Sequence, residues 1–133
     1  YEDVPNDIPT LTHDLIRPDG VYGAAKIFGE TLGRHYSDAY GLSVLCVRLG
    51  QVRSDDLPHD EHDYSALLSH RDVATMLHKC IEAPQSVQYD IFFATSNNKW
   101  TYRDLEHPRQ ILGWVPQDSA EKMERSPLPG SVK

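Results

Sequence analysis

Apolar residues follow two different spacings along the chain. They recur every third or fourth residue over 21–32, which predicts a helix over 19–40 that is stopped by a glycine. The next run, 42–50, is nearly continuous in Leu and Val, which is typical of a strand buried on both faces in a parallel sheet. An acidic stretch with a proline follows at 51–64, and we expect it to form a loop at the carboxyl end of that strand.

The second half of the chain repeats this alternation. Ser69 is predicted to cap a helix, with Asp72 three residues later in a spacing that resembles a capping box. The apolar face of this helix is predicted to consist of Val73, Leu77, Cys80 and Ile81. A second strand is predicted over 87–96, and a last helix over 102–112, capped by Thr101 and closed by a glycine.

Helices that alternate with buried strands indicate an α/β fold with a parallel sheet. Two strands are fewer than a doubly wound sheet requires, so we expect one partial domain of a longer protein, with the missing strands N-terminal to Tyr1. Within it, 1–19 is predicted to be a loop and 20–115 the α/β part. The remaining 116–133 is a polar, proline-rich tail that we expect to fray.

Charge and composition exclude several classes of protein. A formal charge of -7 and a pI of about 5.4 argue against a nucleic-acid or anionic-membrane surface. No apolar run approaches the roughly 20 residues of a membrane span, and no signal peptide opens the chain. Cys46 and Cys80 are too isolated for a disulfide framework, so we expect free thiols in a reducing cytoplasm.

Tyr22 and Lys26 stand four residues apart at the head of the first predicted helix, where such side chains lie one above the other. An ammonium within about 4–6 Å favours a phenolate, which can accept a proton from a substrate hydroxyl. The lysine also has spare donors that could hold a ribose. This spacing alone is weak evidence, because an ordinary surface helix shows it more often than a reactive one.

Four segments, in order along the chain, add context to this pair. They read "PDGVYGAAK" over 18–26, "VRLG" over 47–50, "LSHRDVA" over 68–74 and "LGWVPQDSAE" over 112–121. Together they resemble the extended short-chain dehydrogenase/reductase family, which includes the NAD-dependent epimerases and dehydratases. Within that family the chain is most similar to the uronate dehydrogenase-like sugar dehydrogenases. The short stretch after the tyrosine also suits a small sugar better than a nucleotide-linked one.

The resemblance implies the C-terminal half of a Rossmann-like, doubly wound parallel sheet. It also implies an NAD-dependent oxidoreductase that converts the anomeric hydroxyl of a uronate or aldose to a lactone, with NADP left open as the cofactor. Tyr22 is implied to be the catalytic base, and Lys26 the partner that favours its phenolate and binds the nicotinamide ribose. Leu49 is implied to lie against the cofactor and Gln51 against the sugar, since ligands bind at the carboxyl ends of such strands. His62 falls where uronate enzymes carry an arginine that clamps the substrate carboxylate.

Two features depart from the family pattern. No Gly-x-x-Gly-x-x-Gly motif follows a strand, so the glycine-rich βαβ unit that cradles the pyrophosphate is missing. We therefore predict that this chain alone neither binds NAD tightly nor turns over. The loop after the first strand is acidic, with Arg53 as its one arginine, which favours a neutral aldose over a uronate unless a shift of the loop brings Arg53 to the substrate carboxylate.

Two other functions stay open from the sequence. One is a nucleotide-sugar epimerase or dehydratase of the same family, with the same tyrosine–lysine chemistry. The other is a non-catalytic half-domain. A homodimer through the Tyr22 helix is expected by resemblance, and no metal, nucleic acid or membrane partner is predicted.

Several further side chains are predicted to have structural roles. The His-x-x-His spacing of His59 and His62 is too weak to indicate a metal site. Ser69 and His70 are predicted to cap a helix, and Arg48 to form an ion pair. Close packing against a helix or subunit is predicted for Gly29 and Gly33, and satellite packing for Trp100 and Trp114.

Overall fold

A computed structural model of the chain describes residues 17–123. Its elements, in chain order, are α1 (Val21–Tyr40), β1 (Val44–Leu49), α2 (Asp63–Ala66), α3 (His70–Ile81), β2 (Tyr89–Ala94), α4 (Glu106–Leu112) and a 3-10 turn (Ala120–Lys122). The predicted alternation of helix and strand is confirmed. The short helix α2 was not predicted, because one helical turn in a polar loop shows no periodicity. The predictions for 1–16 and 124–133 lie outside the described residues.

The strands β1 and β2 pair in parallel, from Val44 opposite Tyr89 to Leu49 opposite Ala94. An α/β fold with parallel strands is therefore confirmed. Over residues 17–123 the sheet consists of these two strands, so β1 has one unpaired edge. Over the described residues β1 is half-buried, which is less burial than the prediction of a strand buried on both faces implies.

Helix α1 lies across one face of the sheet and runs antiparallel to β1. Gly33 approaches the strand so closely that a Cβ there would lie 2.8 Å from Cγ1 of Val44. One turn later, the Ser37 hydroxyl donates to the carbonyl of Gln88 at 3.3 Å. Close packing of Gly33 is thus confirmed, although the neighbour is a strand. A Cβ at Gly29 would meet nothing within 4 Å, so close packing is not found there within the described chain.

The apolar residues whose spacing predicted α1 face away from the sheet. Val21 is 88% exposed and Phe28 67% exposed, and Leu32 is also exposed. The sheet is contacted instead by small or polar residues such as Gly33 and Ser37. The spacing therefore located the helix correctly but did not identify the face that packs against the strands.

The hydrophobic core lies on the opposite face of the sheet, and its buried members are Leu68, Met76, Phe92, Ala94, Leu112 and Trp114. Met76 is the buried apolar residue of α3, whereas Leu77 and Ile81, predicted for its apolar face, are exposed. Trp114 belongs to the core rather than to a satellite cluster, and its Nε1–H donates to Oγ1 of Thr75 at 3.1 Å. Trp100 stays on the surface, with Nζ of Lys99 4.7 Å from its ring centroid.

The described part of the C-terminal segment docks onto α3, so the prediction that it frays is wrong there. The carboxylate of Asp72 is fully buried and accepts the backbone N–H groups of Gln117 at 2.7 Å and Asp118 at 3.1 Å. It also accepts the hydroxyl of Ser96 at 2.6 Å. A buried carboxylate needs such donors, and here the segment supplies them. Ser69 caps α3 as predicted, through a hydrogen bond from the Asp72 N–H at 3.1 Å.

Helix α4 begins later than predicted. Oδ1 of Asp104 accepts the N–H groups of Glu106 at 2.9 Å and His107 at 3.2 Å, which satisfies the first free donors of the helix. The hydroxyl of Thr101, which we expected to cap the helix, lies 3.1 Å from that of Thr95 at the end of β2. The glycine stop after α4 is confirmed, with φ 64° at its C-cap.

Gly50 stands where three backbone segments meet. Its N–H donates to the carbonyl of Ala94 at 2.7 Å, and the next residue, Gln51, forms a parallel bridge with Leu67. A Cβ at Gly50 would lie 2.2 Å from the carbonyl oxygen of Ala66 and 3.1 Å from that of Ala94. Close approach of backbone therefore requires glycine at this position.

We predict that Gly50→Ala destabilises the chain by about 1–3 kcal/mol, because backbone atoms that cannot swing aside surround the added methyl group. Gly29→Ala is the matched control. It adds the same methyl group in open space on α1 and should be neutral or stabilising by up to about 1 kcal/mol. Urea unfolding followed by circular dichroism measures both changes, and equal stability of the two variants would contradict the close approach.

Candidate active site

Tyr22 and Lys26 come together in the first turns of α1, as their spacing predicts. Nζ of Lys26 lies 5.1 Å from the centroid of the Tyr22 ring, which is a cation–π contact. Tyr22 is 77% exposed, and Lys26 is exposed as well. Within the described part of the chain, the pair therefore shares an open surface that a ligand can reach.

An ion pair between Glu30 and Arg48 joins α1 to β1. Arg48 donates through Nε to Oε1 at 2.7 Å and through Nη2 to Oε2 at 2.8 Å, in a bidentate arrangement that is largely buried. The Tyr89 hydroxyl donates to the Glu30 carbonyl at 2.9 Å. The hydrogen bonds from Arg48 to the Glu30 carboxylate raise the pKa of Arg48. The predicted ion pair of Arg48 is confirmed. Its partner was not predicted, although Glu30 lies one turn after Lys26 along the same helix.

This ion pair fixes the position of α1 along the direction of the strands. Tyr22 lies two turns before Glu30, which is about 12 Å along the helix axis. The strand covers about 10 Å between Arg48 and Gln51. Because α1 and β1 run in opposite directions, Tyr22 lies level with the segment directly after β1. The tyrosine–lysine pair thus stands at the carboxyl edge of the sheet, where open α/β folds bind their ligands.

Leu49 and Gln51 lie at the same edge. Leu49 ends β1 and is 50% exposed. The backbone of Gln51 donates to the carbonyl of Ala66 at 2.6 Å and accepts the N–H of Leu68 at 2.9 Å, which holds it firmly. The predicted contacts of Leu49 with a cofactor and of Gln51 with a sugar stay predictions. Both residues lie at the edge of the sheet where such contacts would form.

The loop after β1 is closed by an ion-pair cluster of Arg53, Asp60 and Asp63, which we call the latch. Arg53 donates to Asp63 through Nε at 3.0 Å and through Nη2 at 3.1 Å, and through Nη2 to Asp60 at 3.0 Å. The Asp63 side chain is fully buried and also accepts the N–H of His59 at 2.7 Å. Burial raises the pKa of Asp63, but the hydrogen bonds from Arg53 and His59 outweigh it and lower that pKa below 3.8.

The histidines of this region have different surroundings. His62 precedes α2, is exposed, and its ring makes no hydrogen bond to another residue in 17–123. Nε2 of His59 lies 2.8 Å from Asp55, and Nε2 of His70 lies 2.7 Å from the carbonyl oxygen of Arg53. Over residues 17–123, no three His, Cys, Asp or Glu side chains converge as metal ligands would.

Cys46 and Cys80 are free and half-buried, as predicted for thiols outside a disulfide framework. Burial raises the pKa of both thiols, which suits packing rather than nucleophilic chemistry. None of the helices in the described range 17–123 has the length and apolar character needed to cross a membrane.

Parallel strands flanked by helices, with polar side chains at their carboxyl edge, are typical of Rossmann-type α/β proteins. The chain belongs to the NAD dependent epimerase/dehydratase family, whose family model matches residues 1–79.

Curated relatives agree with this assignment. The chain is 37% identical over 108 residues to the NAD-dependent glucose-6-phosphate dehydrogenase of Haloferax volcanii, a match covering 80% of this chain and 40% of that protein. It is 34% identical over 109 residues to the uronate dehydrogenase of Agrobacterium fabrum, covering 82% of this chain and 40% of that protein. The chain therefore spans about 40% of the length of these relatives.

Solved structures give the same result. The crystal structure of uronate dehydrogenase from Agrobacterium tumefaciens superposes with a TM-score of 0.72 at 31% identity, over 86% of this chain and 44% of that one. A mutant of that enzyme complexed with NAD matches with a TM-score of 0.72 at 30% identity, over the same shares. The chain is thus homologous to part of the uronate and sugar dehydrogenases.

We predict that the Asp63 carboxyl titrates below pH 3.8, the ordinary aspartate value. Because its pKa is lowered by folding, the latch adds stability that is fully present above that pH and is lost as the pH falls through the folded-state pKa. The carboxyl ¹³C shift of Asp63, followed by NMR from neutral to acidic pH, measures this titration.

The Arg53→Gln variant is the control for that titration. Burial then acts on Asp63 without the guanidinium, so its pKa should rise. An unchanged midpoint in this variant would show that Arg53 does not hold the carboxylate.

Proposed function

We propose that this chain is the C-terminal part of an NAD-dependent oxidoreductase that acts on a small sugar, with Tyr22 as the catalytic base. The observation that carries the proposal is the Tyr22–Lys26 pair, exposed and in contact at the carboxyl edge of the sheet. Homology to NAD-dependent sugar dehydrogenases at 30–37% identity supports the reaction class. Since the chain spans about 40% of those relatives, the activity belongs to the longer protein.

The reaction has a simple balance of protons and electrons. In the bound sugar, the Tyr22 phenolate takes the proton of the anomeric hydroxyl while the hydrogen on the anomeric carbon leaves as hydride. The C–O bond becomes a carbonyl, and the sugar becomes a lactone. Lys26 places its ammonium beside the Tyr22 ring and keeps donors for a ribose.

The residues at this edge fit the nicotinamide end of NAD. When bound, NAD would supply the acceptor for this hydride. Lys26 would hold the ribose, and the exposed Leu49 would form an apolar wall beside the nicotinamide ring. Gln51 and His62 are the proposed sugar contacts, since amide and imidazole groups both donate and accept hydrogen bonds to hydroxyls. The sequence contains no glycine-rich loop for the pyrophosphate, so these residues serve half of a cofactor site.

The exposed apolar stripe of α1 supports the homodimer as a further proposal. Val21, Phe28, Leu32, Tyr36 and Tyr40 are all exposed along one helix. Burying such a stripe against a second copy removes apolar surface from water, which favours association. Sedimentation of the full-length protein is the direct measurement of this state.

We predict that Tyr22→Phe in the full-length protein lowers turnover by about 10²–10⁴-fold, the usual contribution of a general base. NADH release is measured with free aldoses, free uronates and nucleotide-sugars. Tyr40→Phe removes the same hydroxyl from an equally exposed position at the far end of α1 and should keep full activity. Full activity in Tyr22→Phe would refute the base assignment. Absence of NADH with every free sugar would refute the dehydrogenase.

We also predict that the 133-residue chain alone does not bind NAD at micromolar concentration, because it has no pyrophosphate cradle. Isothermal titration of this chain with NAD tests the prediction, and the full-length protein is the positive control. Micromolar binding by the chain alone would show that the cofactor site is complete without the glycine-rich unit.

A further inference from the structure

The loop after β1 follows directly from the edge where Tyr22 stands. By the rise of the helix and of the strand, Gln51 lies about level with Tyr22, and the latch residues come from the twelve positions that follow it. Charges on this loop therefore act on whatever sugar occupies the edge. Besides Arg53, the loop carries five carboxylates, which are Asp55, Asp56, Asp60, Glu61 and Asp63.

The one arginine of this loop is held in the latch through two of its three guanidinium nitrogens. Both Nε and Nη2 of Arg53 bond to the buried Asp63, and Nη2 also bonds to the exposed Asp60. The Arg53 carbonyl oxygen is held as well, by the ring of His70. Turning the guanidinium towards a substrate would leave the buried Asp63 carboxylate without its counter-charge, which is strongly unfavourable.

Several of the other cations near the edge have partners of their own. Arg48 is bound by Glu30, and Lys26 lies over the Tyr22 ring. Arg71, at the start of α3, is paired with Asp118. His59 is paired with Asp55. After these pairings the loop still presents Asp56, whose carboxylate accepts only the N–H of His70 among the described residues, and the exposed Glu61.

From this arrangement, we infer that the latch withholds Arg53 from the substrate and that the enzyme selects a neutral aldose over a sugar with a carboxylate or phosphate. This inference rests on the proposed function. It names the substrate class of the same site, and it makes the Arg53–Asp63 ion pair the element that determines specificity. Like charges repel an anionic sugar, whereas sugar hydroxyl groups form hydrogen bonds with carboxylates and with an imidazole such as that of His62.

Paired substrates test the inference in the full-length protein. Glucose and glucuronate share one ring and one anomeric hydroxyl and differ at the sixth carbon, and galactose and galacturonate form a second pair. We expect kcat/KM to favour the aldose in each accepted pair by about tenfold or more, because of charge repulsion. Preference for a uronate, or for glucose 6-phosphate over glucose, would overturn the inference and leave the dehydrogenase standing. NADH from no sugar would overturn the proposed function and this inference with it.

Three variants separate the latch from a substrate clamp. Asp63→Asn removes the charge that holds Arg53, so the ratio of uronate to aldose kcat/KM should rise by about tenfold. Asp60→Asn removes the same charge from the same loop but keeps the Asp63 pair, and its ratio should change far less. If Asp63→Asn does not fold, the double variant Arg53→Gln/Asp63→Asn decides the question, because it keeps the net charge of the loop and leaves neither charge buried alone. An unchanged ratio supports the latch, whereas selective loss of uronate activity shows that Arg53 reaches the substrate and overturns the inference.

Discussion

The bidentate ion pair between Glu30 and Arg48 determines where the candidate catalytic pair lies. Helix α1 touches the sheet through small and polar residues such as Gly33 and Ser37, which provide little apolar contact to fix its position. A largely buried guanidinium–carboxylate pair does fix it, because either charge alone would be costly at that depth. The head of α1 is thereby held level with the end of β1, where Tyr22 and Lys26 can face a ligand.

Backbone contacts build the rest of this edge. Gly50 allows β1, β2 and the segment at Ala66 to approach at distances that a side chain would prevent. In α3, the buried carboxylate of Asp72 accepts hydrogen bonds from the hydroxyl of Ser96, which follows β2, and from backbone N–H groups of the C-terminal segment. The hydroxyl of Ser96 in turn accepts the N–H of Ser69, so α3 and the strand end form one connected unit. The loop after β1 thus begins from a firmly held backbone.

Local signals predicted much of this fold. The spacing of apolar residues located α1, β1, α3 and β2, and the Ser69 cap and the glycine stop after α4 were recognised from residue type. Errors arose where a distant partner competed with a local signal. Thr101 was expected to cap α4, but its hydroxyl pairs with Thr95, and Asp104 caps the helix instead. The C-terminal segment was expected to fray because its composition is polar, but Asp72 binds the part of it that the structure describes, at Gln117 and Asp118.

Patterns along the sequence located the longer helices and the strands, placed Tyr22 and Lys26 four residues apart, and indicated the family. These depend on neighbours along the chain, whose geometry follows from helix and strand periodicity. The tertiary structure alone decided which face of α1 meets the sheet and that Glu30 is the partner of Arg48. It also decided that Arg53 is bound by Asp63 rather than free for a substrate. Such pairings depend on burial and on which groups folding brings together, and no local spacing encodes them.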